Sequence, residues 1–210
     1  MSILAPGDAV RRLYALPLVG LLLTVACGDT PRADGGPSDS TDPTDPQLAF
    51  WASLETLCGQ AFAGRLVESE PPDASFEGQR MVMHVRECQT GEIRIPFFVG
   101  DDRSRTWVLT PTAAGLRLKH DHRHEDGTED AVTQYGGETE GRGTSSVQDF
   151  RADSFTASLV PTAATNVWSI EVHPGRVFAY ALRREGSDRR FRVEFDLTQP
   201  IDTPPPPWGS

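Results

Sequence analysis

Three histidines at alternate positions, His120, His122 and His124, form the densest set of chemistry-bearing residues in the chain. Residues two apart on a strand share a face. The three imidazoles therefore join Leu116 and Leu118 on one side, with Arg117, Lys119, Asp121, Arg123 and Glu125 on the other. The charged side belongs in water, which turns the histidines inward. Asp126-Gly127 is a two-residue hairpin signal. It sets Glu125 opposite Thr128, His124 opposite Glu129, His122 opposite Ala131, His120 opposite Thr133 and Leu118 opposite Tyr135, and it pairs Arg123 with Asp130 on the outer face. Imidazoles with a carboxylate match the ligand types of zinc, and neighbours about 6.5–7 Å apart at Cα can share an ion. His120, His122, His124 and Glu129 are thus a candidate metal site, for zinc or another divalent cation that would activate water. Two other readings stay open. The imidazoles line a cavity and hydrogen-bond an organic ligand, or they sit in water on a polar hairpin tip and do nothing.

Other polar residues carry less. His84, among Met81, Val82, Met83 and Val85, and His173, before Pro174-Gly175, read as structural. Asp101, Asp102 and Arg103 read as a solvated turn, and Gly136 to Gly143 as a mobile loop that would suit a lid at a barrel mouth. The lysine and following helix of a phosphate loop are missing. The chain also holds no Gly-x-Ser-x-Gly elbow, His-Glu-x-x-His or Cys-x-x-Cys, so no catalytic residue is assigned and the balance leans away from an enzyme.

The elements that must position these residues are mostly strands. One helix opens the domain: Asp45 suits the cap, Pro46 the first turn and Gly59 the position past the end. Phe50, Leu54 and Leu57 give it one apolar stripe. Beyond Gly59 apolar and polar residues alternate, most clearly in Arg190 to Leu197, Ile93 to Val99 and Trp168 to Val172. Thr90-Gly91, Ala114-Gly115, Asp126-Gly127, Pro174-Gly175 and Gly186-Ser187 separate such runs. About eight to ten strands with short links predict an all-β fold: an antiparallel up-and-down barrel that closes to remove its edges, the helix packed at one end. Met81, Met83, Trp107, Leu118 and Trp168, with His120 and His122, are the predicted lining of its interior.

That architecture resembles the calycins, the lipocalin-type ligand barrels. Their Gly-x-Trp signature is absent, with Gly64-Arg65-Leu66 in its place. The phrases Ser104-Arg105-Thr106-Trp107, Leu118 to Gly127 and Thr165-Asn166-Val167-Trp168 resemble a family of uncharacterised exported bacterial proteins, a likeness that implies no activity.

The N-terminus places the domain in the cell. Arg11 and Arg12 precede the uncharged run Leu13 to Ala26. That run is too short for the ~20 apolar residues of a membrane span and fits a secretory signal. Leu23-Thr24-Val25-Ala26-Cys27 resembles a lipobox, with leucine four rather than three residues before the cysteine. It implies a signal over 1–26 and lipidation of Cys27 as an anchor to membrane, the alternative being an ordinary signal with a chance cysteine. By resemblance to the lipoprotein sorting rule, Gly28 rather than Asp after Cys27 implies the outer over the inner membrane, facing the periplasm or the surface, with Asp29 pulling slightly the other way. Residues 27–46 are mostly Gly, Pro, Ser, Thr and Asp with little to bury, and are expected to be a disordered tether. The folded domain is predicted over 47–199, and 200–210, with four consecutive prolines, as a frayed tail.

With Cys27 acylated, Cys58 and Cys88 form a candidate disulfide in an oxidising compartment, two buried thiols being the alternative. The formal net charge of -10 excludes a phosphate-backbone partner on average, and removing the signal takes two arginines against one aspartate. The leading expectation is an anchored barrel that binds a small, partly apolar ligand. A metal-dependent protein built on the histidines, or an envelope protein with a filled barrel whose tails contact partners, are the rivals; the sequence leaves a protein partner unknown.

Overall fold

The computed structural model describes residues 45–210. The signal segment, Cys27 and all but the last two residues of the tether lie outside the described residues. The described chain opens with α1 (Pro46–Glu55), whose cap Asp45 accepts a hydrogen bond from the Gln47 amide. The helix stops at Thr56, three residues before Gly59, which takes a positive φ of 80° where its amide donates to the Val85 carbonyl. Phe50, Leu54 and Leu57 are buried as the apolar stripe requires.

Eleven strands follow: β1 (Ala61–Glu70), β2 (Met81–His84), β3 (Glu87–Gln89), β4 (Glu92–Val99), β5 (Asp102–Thr112), β6 (Gly115–His122), β7 (Tyr135–Thr139), β8 (Val147–Ala152), β9 (Asn166–His173), β10 (Val177–Arg184) and β11 (Arg190–Ile201). All pairings are antiparallel between sequence neighbours, except that β1 also pairs β11 and β2 pairs β4. Those two pairings close the sheet. Since β2 and β3 together flank one strand, β4, the barrel has ten positions around its wall. The break between them is local chemistry. Pro96, the β4 residue just past the Met83–Phe97 pair that ends the β2–β4 ladder, has no amide to offer, while Val85 extends the β1–β2 ladder by bonding the Gln60 carbonyl.

Inward positions of every strand meet in one core. Phe50, Phe62, Met81, Met83, Ile93, Ile95, Leu109, Leu118, Phe150, Ile170, Phe178 and Phe195 are all essentially inaccessible. Each such side chain contributes about 1.5–3 kcal/mol relative to leaving it in water. α1 plugs one end, packing on β8 and β9, while its Gln47 side chain donates to Thr139 Oγ1 and to the Gly141 carbonyl, both at 3.0 Å. The Cys58–Cys88 disulfide is present with Cα atoms 6.1 Å apart, tying the turn after α1 to β3.

Several expectations give way here. Gly136 to Gly143 is no lid. Its first half is β7, and Gly141 lies at the helix-plugged end. Gly136 and Gly137 let β7 approach its neighbours so closely that a Cβ would overlap the Leu118 and Arg151 carbonyls. A second helix, α2 (Ser154–Leu159), follows β8, capped by Asp153 accepting from the Thr156 amide, and runs into the 3₁₀ turn Pro161–Ala163. It buries little except Thr156, so no apolar stripe announced it. The C-terminal tail does not fray. Arg103 donates to the Pro206 carbonyl and accepts from the Trp208 amide, docking the tail on the outer wall.

Candidate functional site

The histidine hairpin differs from its predicted register, and the reason is the turn. Asp126 is held by its own bonds, accepting from the Thr128 amide and hydroxyl. Gly127, at φ 87°, follows a turn closed by its amide on the His124 carbonyl. The loop therefore has three residues with a glycine bulge rather than two, and His124 pairs with Thr128. Every partner moves by one, so Glu129 faces Arg123 instead of His124. Arg123 binds Asp121 at 2.9 Å and Glu129 at 3.1 Å, not Asp130. A larger slip follows through Ala131–Thr133, after which His120 pairs with Tyr135 and Leu118 with Gly137.

The alternation of β6 survives this slip, because its own pairing with β5 is unbroken: Trp107 lies opposite His120 and Leu109 opposite Leu118. His120 is accordingly buried, at 3 % exposure, and His122 half-buried. His124, past the end of β6, is exposed, as is Glu129. The four predicted ligands are thus split between interior and surface. Among the described residues no group of three or more His, Cys, Asp or Glu side chains is placed to share a metal ion.

His120 is instead the centre of a polar network. Its Nδ1 lies 3.1 Å from the Tyr135 carbonyl, which can only accept, so Nδ1 carries the proton. Nε2 is then an acceptor, and the Tyr180 hydroxyl donates to it at 2.8 Å. Burial pushes the His120 imidazole down to about 3, which keeps it neutral. Burial likewise lowers His122, with Arg105 adding to the effect, and raises the hydroxyls of Tyr135, to about 12, and of Tyr180. The Tyr135 hydroxyl lies 3.2 Å from His122 Nε2. These groups are uncharged hydrogen-bonding surfaces at neutral pH.

They line a cavity of about 360 Å³ inside the barrel. It lies at the end away from α1: along β7, Tyr135 borders the cavity, whereas Thr139 bonds Gln47 of the plug. One wall is a stack of Phe97, Trp107 and Tyr180, with centroids 4.8 and 4.4 Å apart; another is Tyr135, His120 and Trp168. Val160 and Ala163, from the end of α2 and the turn after it, border the mouth, as does Phe76 from the β1–β2 connection.

Of the predicted lining residues, Trp107, Trp168, His120 and His122 border this cavity. Met81, Met83 and Leu118 do not; they belong to the packed layer of the core. The barrel is filled at the helix end and hollow at the other. Sequence reasoning missed Tyr135, Tyr180, Asn166 and three arginines, Arg105, Arg184 and Arg189. The arginines had a signal. Arg184 continues the inward phase of Phe178, Tyr180 and Leu182, and Arg189 that of Phe191 and Val193.

No family model matches the chain, nor does a curated protein or a solved structure. The closed antiparallel barrel is compatible with a calycin-like architecture, a statement about shape alone.

Proposed function

We propose that this protein is a lipid-anchored envelope protein whose barrel binds a small, partly apolar molecule. The observation that carries the reading is the cavity itself. It has the lower end of the size found for small-molecule sites, ~300–1,000 Å³, and their composition, apolar walls with a few convergent polar groups. A barrel serving only as a scaffold would fill both ends with side chains, and the inward aromatic residues here leave one end empty. The uncharged hydroxyls of Tyr180 and Tyr135, held in place by His120 and His122, would orient a ligand by hydrogen bonds. The lipobox resemblance at Cys27 supports the anchor, and the absence of Asp after it supports the outer membrane.

Native mass spectrometry of the full chain taken from the envelope tests this. A co-purified small molecule is expected in the wild type and not in Leu182→Trp, which fills the cavity from its wall, with folding checked by circular dichroism. A wild-type protein that carries nothing, and gains no stability from apolar small molecules that Leu182→Trp fails to bind, overturns the reading.

A further inference from the structure

The β10–β11 hairpin holds two arginines at facing positions on its inner face. The Arg184 amide donates to the Arg189 carbonyl at 3.2 Å, just beyond the Arg183–Arg190 pair, and both side chains border the cavity. Like charges directly opposite on one face of a sheet are destabilising. On the outer wall three nearby arginines are ion-paired, Arg183 with Asp149, Arg151 with Glu185 and Glu140, and Arg192 with Glu171 and Glu194, while Arg190 donates to the Ser187 and Arg189 carbonyls. Among the described residues, no carboxylate comes within ion-pair distance of Arg184 or Arg189.

Arg184 is also positioned. Its Nε donates to Oδ1 of Asn166 at 2.8 Å, and Asn166 is buried, at 5 % exposure. That bond uses one edge of the guanidinium and leaves the two terminal nitrogens, the edge that grips carboxylates in pairs. The acidic groups around the mouth leave both guanidinium groups without a contact partner. Asp102 binds Arg105, while Asp130, which borders the cavity, and Asp73, held below its ordinary range by Ser75 first and in part by Arg189, make no ion-pair contact with either arginine and act on them only at longer range. Two arginines without a contacting carboxylate, with Arg105 a third on the same lining, outnumber Asp130 beside the aromatic chamber and concentrate positive charge there in a chain of net charge -10.

We propose that the cavity takes a small organic acid, its apolar body between Trp107 and Trp168 and its carboxylate on Arg184 and Arg189. This rests on the cavity-binding reading above. At about 30 Å³ per water-sized group, the volume admits on the order of a dozen non-hydrogen atoms.

Phenylbutyrate, an acid of about that size, and phenylbutanol, its uncharged counterpart, are titrated into the full chain at neutral pH, read by calorimetry and by tryptophan fluorescence. The acid is expected to bind about tenfold tighter or more, the scale of one charge-assisted hydrogen bond. The preference is expected to vanish in Arg184→Gln/Arg189→Gln and to persist in the outer-face control Arg183→Gln/Arg190→Gln, each confirmed folded by circular dichroism. Equal affinity for acid and alcohol in the wild type overturns the anion inference and leaves the cavity reading standing. Binding of neither overturns both. An acid preference that survives in Arg184→Gln/Arg189→Gln overturns the assignment to these two residues.

Discussion

His120 shows how burial decides what a residue type can do. Three histidines on one strand face advertise a metal site, but His120 spends both ring nitrogens on Tyr135 and Tyr180 and stays neutral. That neutrality is a stability term. A group whose folded pKa lies below its unfolded value binds more protons when unfolded, so stability is complete above the unfolded value near 6.5 and falls as pH drops towards the folded one. Between pH 7 and pH 5 the loss assigned to His120 is about 2 kcal/mol. Urea melts at those two pH values are expected to show His120→Gln losing about that much less than wild type. Parallel pH dependences would mean that the imidazole is not neutral in the folded state. Carboxylates such as Asp102 and Glu171, held below their ordinary range, contribute losses only at lower pH, and equally in both proteins.

At the scale of elements, β7 is the piece whose nature the sequence disguised. Tyr135-Gly136-Gly137-Glu138-Thr139 has the composition of a loop, yet it is a barrel strand wedged between β6 and β8. Glycine is there for proximity. A methyl group at Gly137 would meet the backbone of Arg151 and Ala152, atoms that cannot swing aside. Gly137→Ala is therefore expected to destabilise the fold by about 3 kcal/mol or more, as overpacking against backbone does. Gly141→Ala, with open space around its would-be Cβ, is expected within about 0.5 kcal/mol of wild type. Denaturation midpoints of the two variants check the contrast, and similar midpoints would mean that β7 is not so tightly held. The disulfide works at the other margin of the barrel, where closing a loop of 30 residues is worth about 3.5 kcal/mol in the chain-entropy account.

At the scale of the whole molecule, closure is what makes a cavity available. A ten-position barrel is wide enough that the aromatic residues at one end line a space instead of filling it, while α1 occupies the other end. Cys27→Ser is expected to move the protein from the membrane fraction to the soluble envelope fraction, or to stall its processing, because acyl chains anchor through about 0.8 kcal/mol per buried CH₂. Fractionation followed by immunoblotting reads this. A variant that still sediments with membranes would show that something other than acylation holds it there.

The Cys58–Cys88 bond stayed one of two open readings until the fold brought the pair together. Local patterns alone determined the strand-rich class, the meander and the opening helix, from period and turn chemistry over a few residues. They also placed Trp107, Trp168, His120 and His122 on the inner phase of their strands, since that phase is a property of one strand alone. What only the tertiary structure decided was depth along the barrel axis. Met81, Met83 and Leu118 share the inward phase of the cavity residues but sit in the packed layer, because depth depends on stagger between strands and on the plug beneath them. The hairpin register went the same way, for a three-residue loop and a slip at Ala131–Thr133 outweigh the Asp-Gly signal. Arg184 and Arg189 came together only when β10 and β11 paired, and which charges lack a partner is a fact of the whole arrangement.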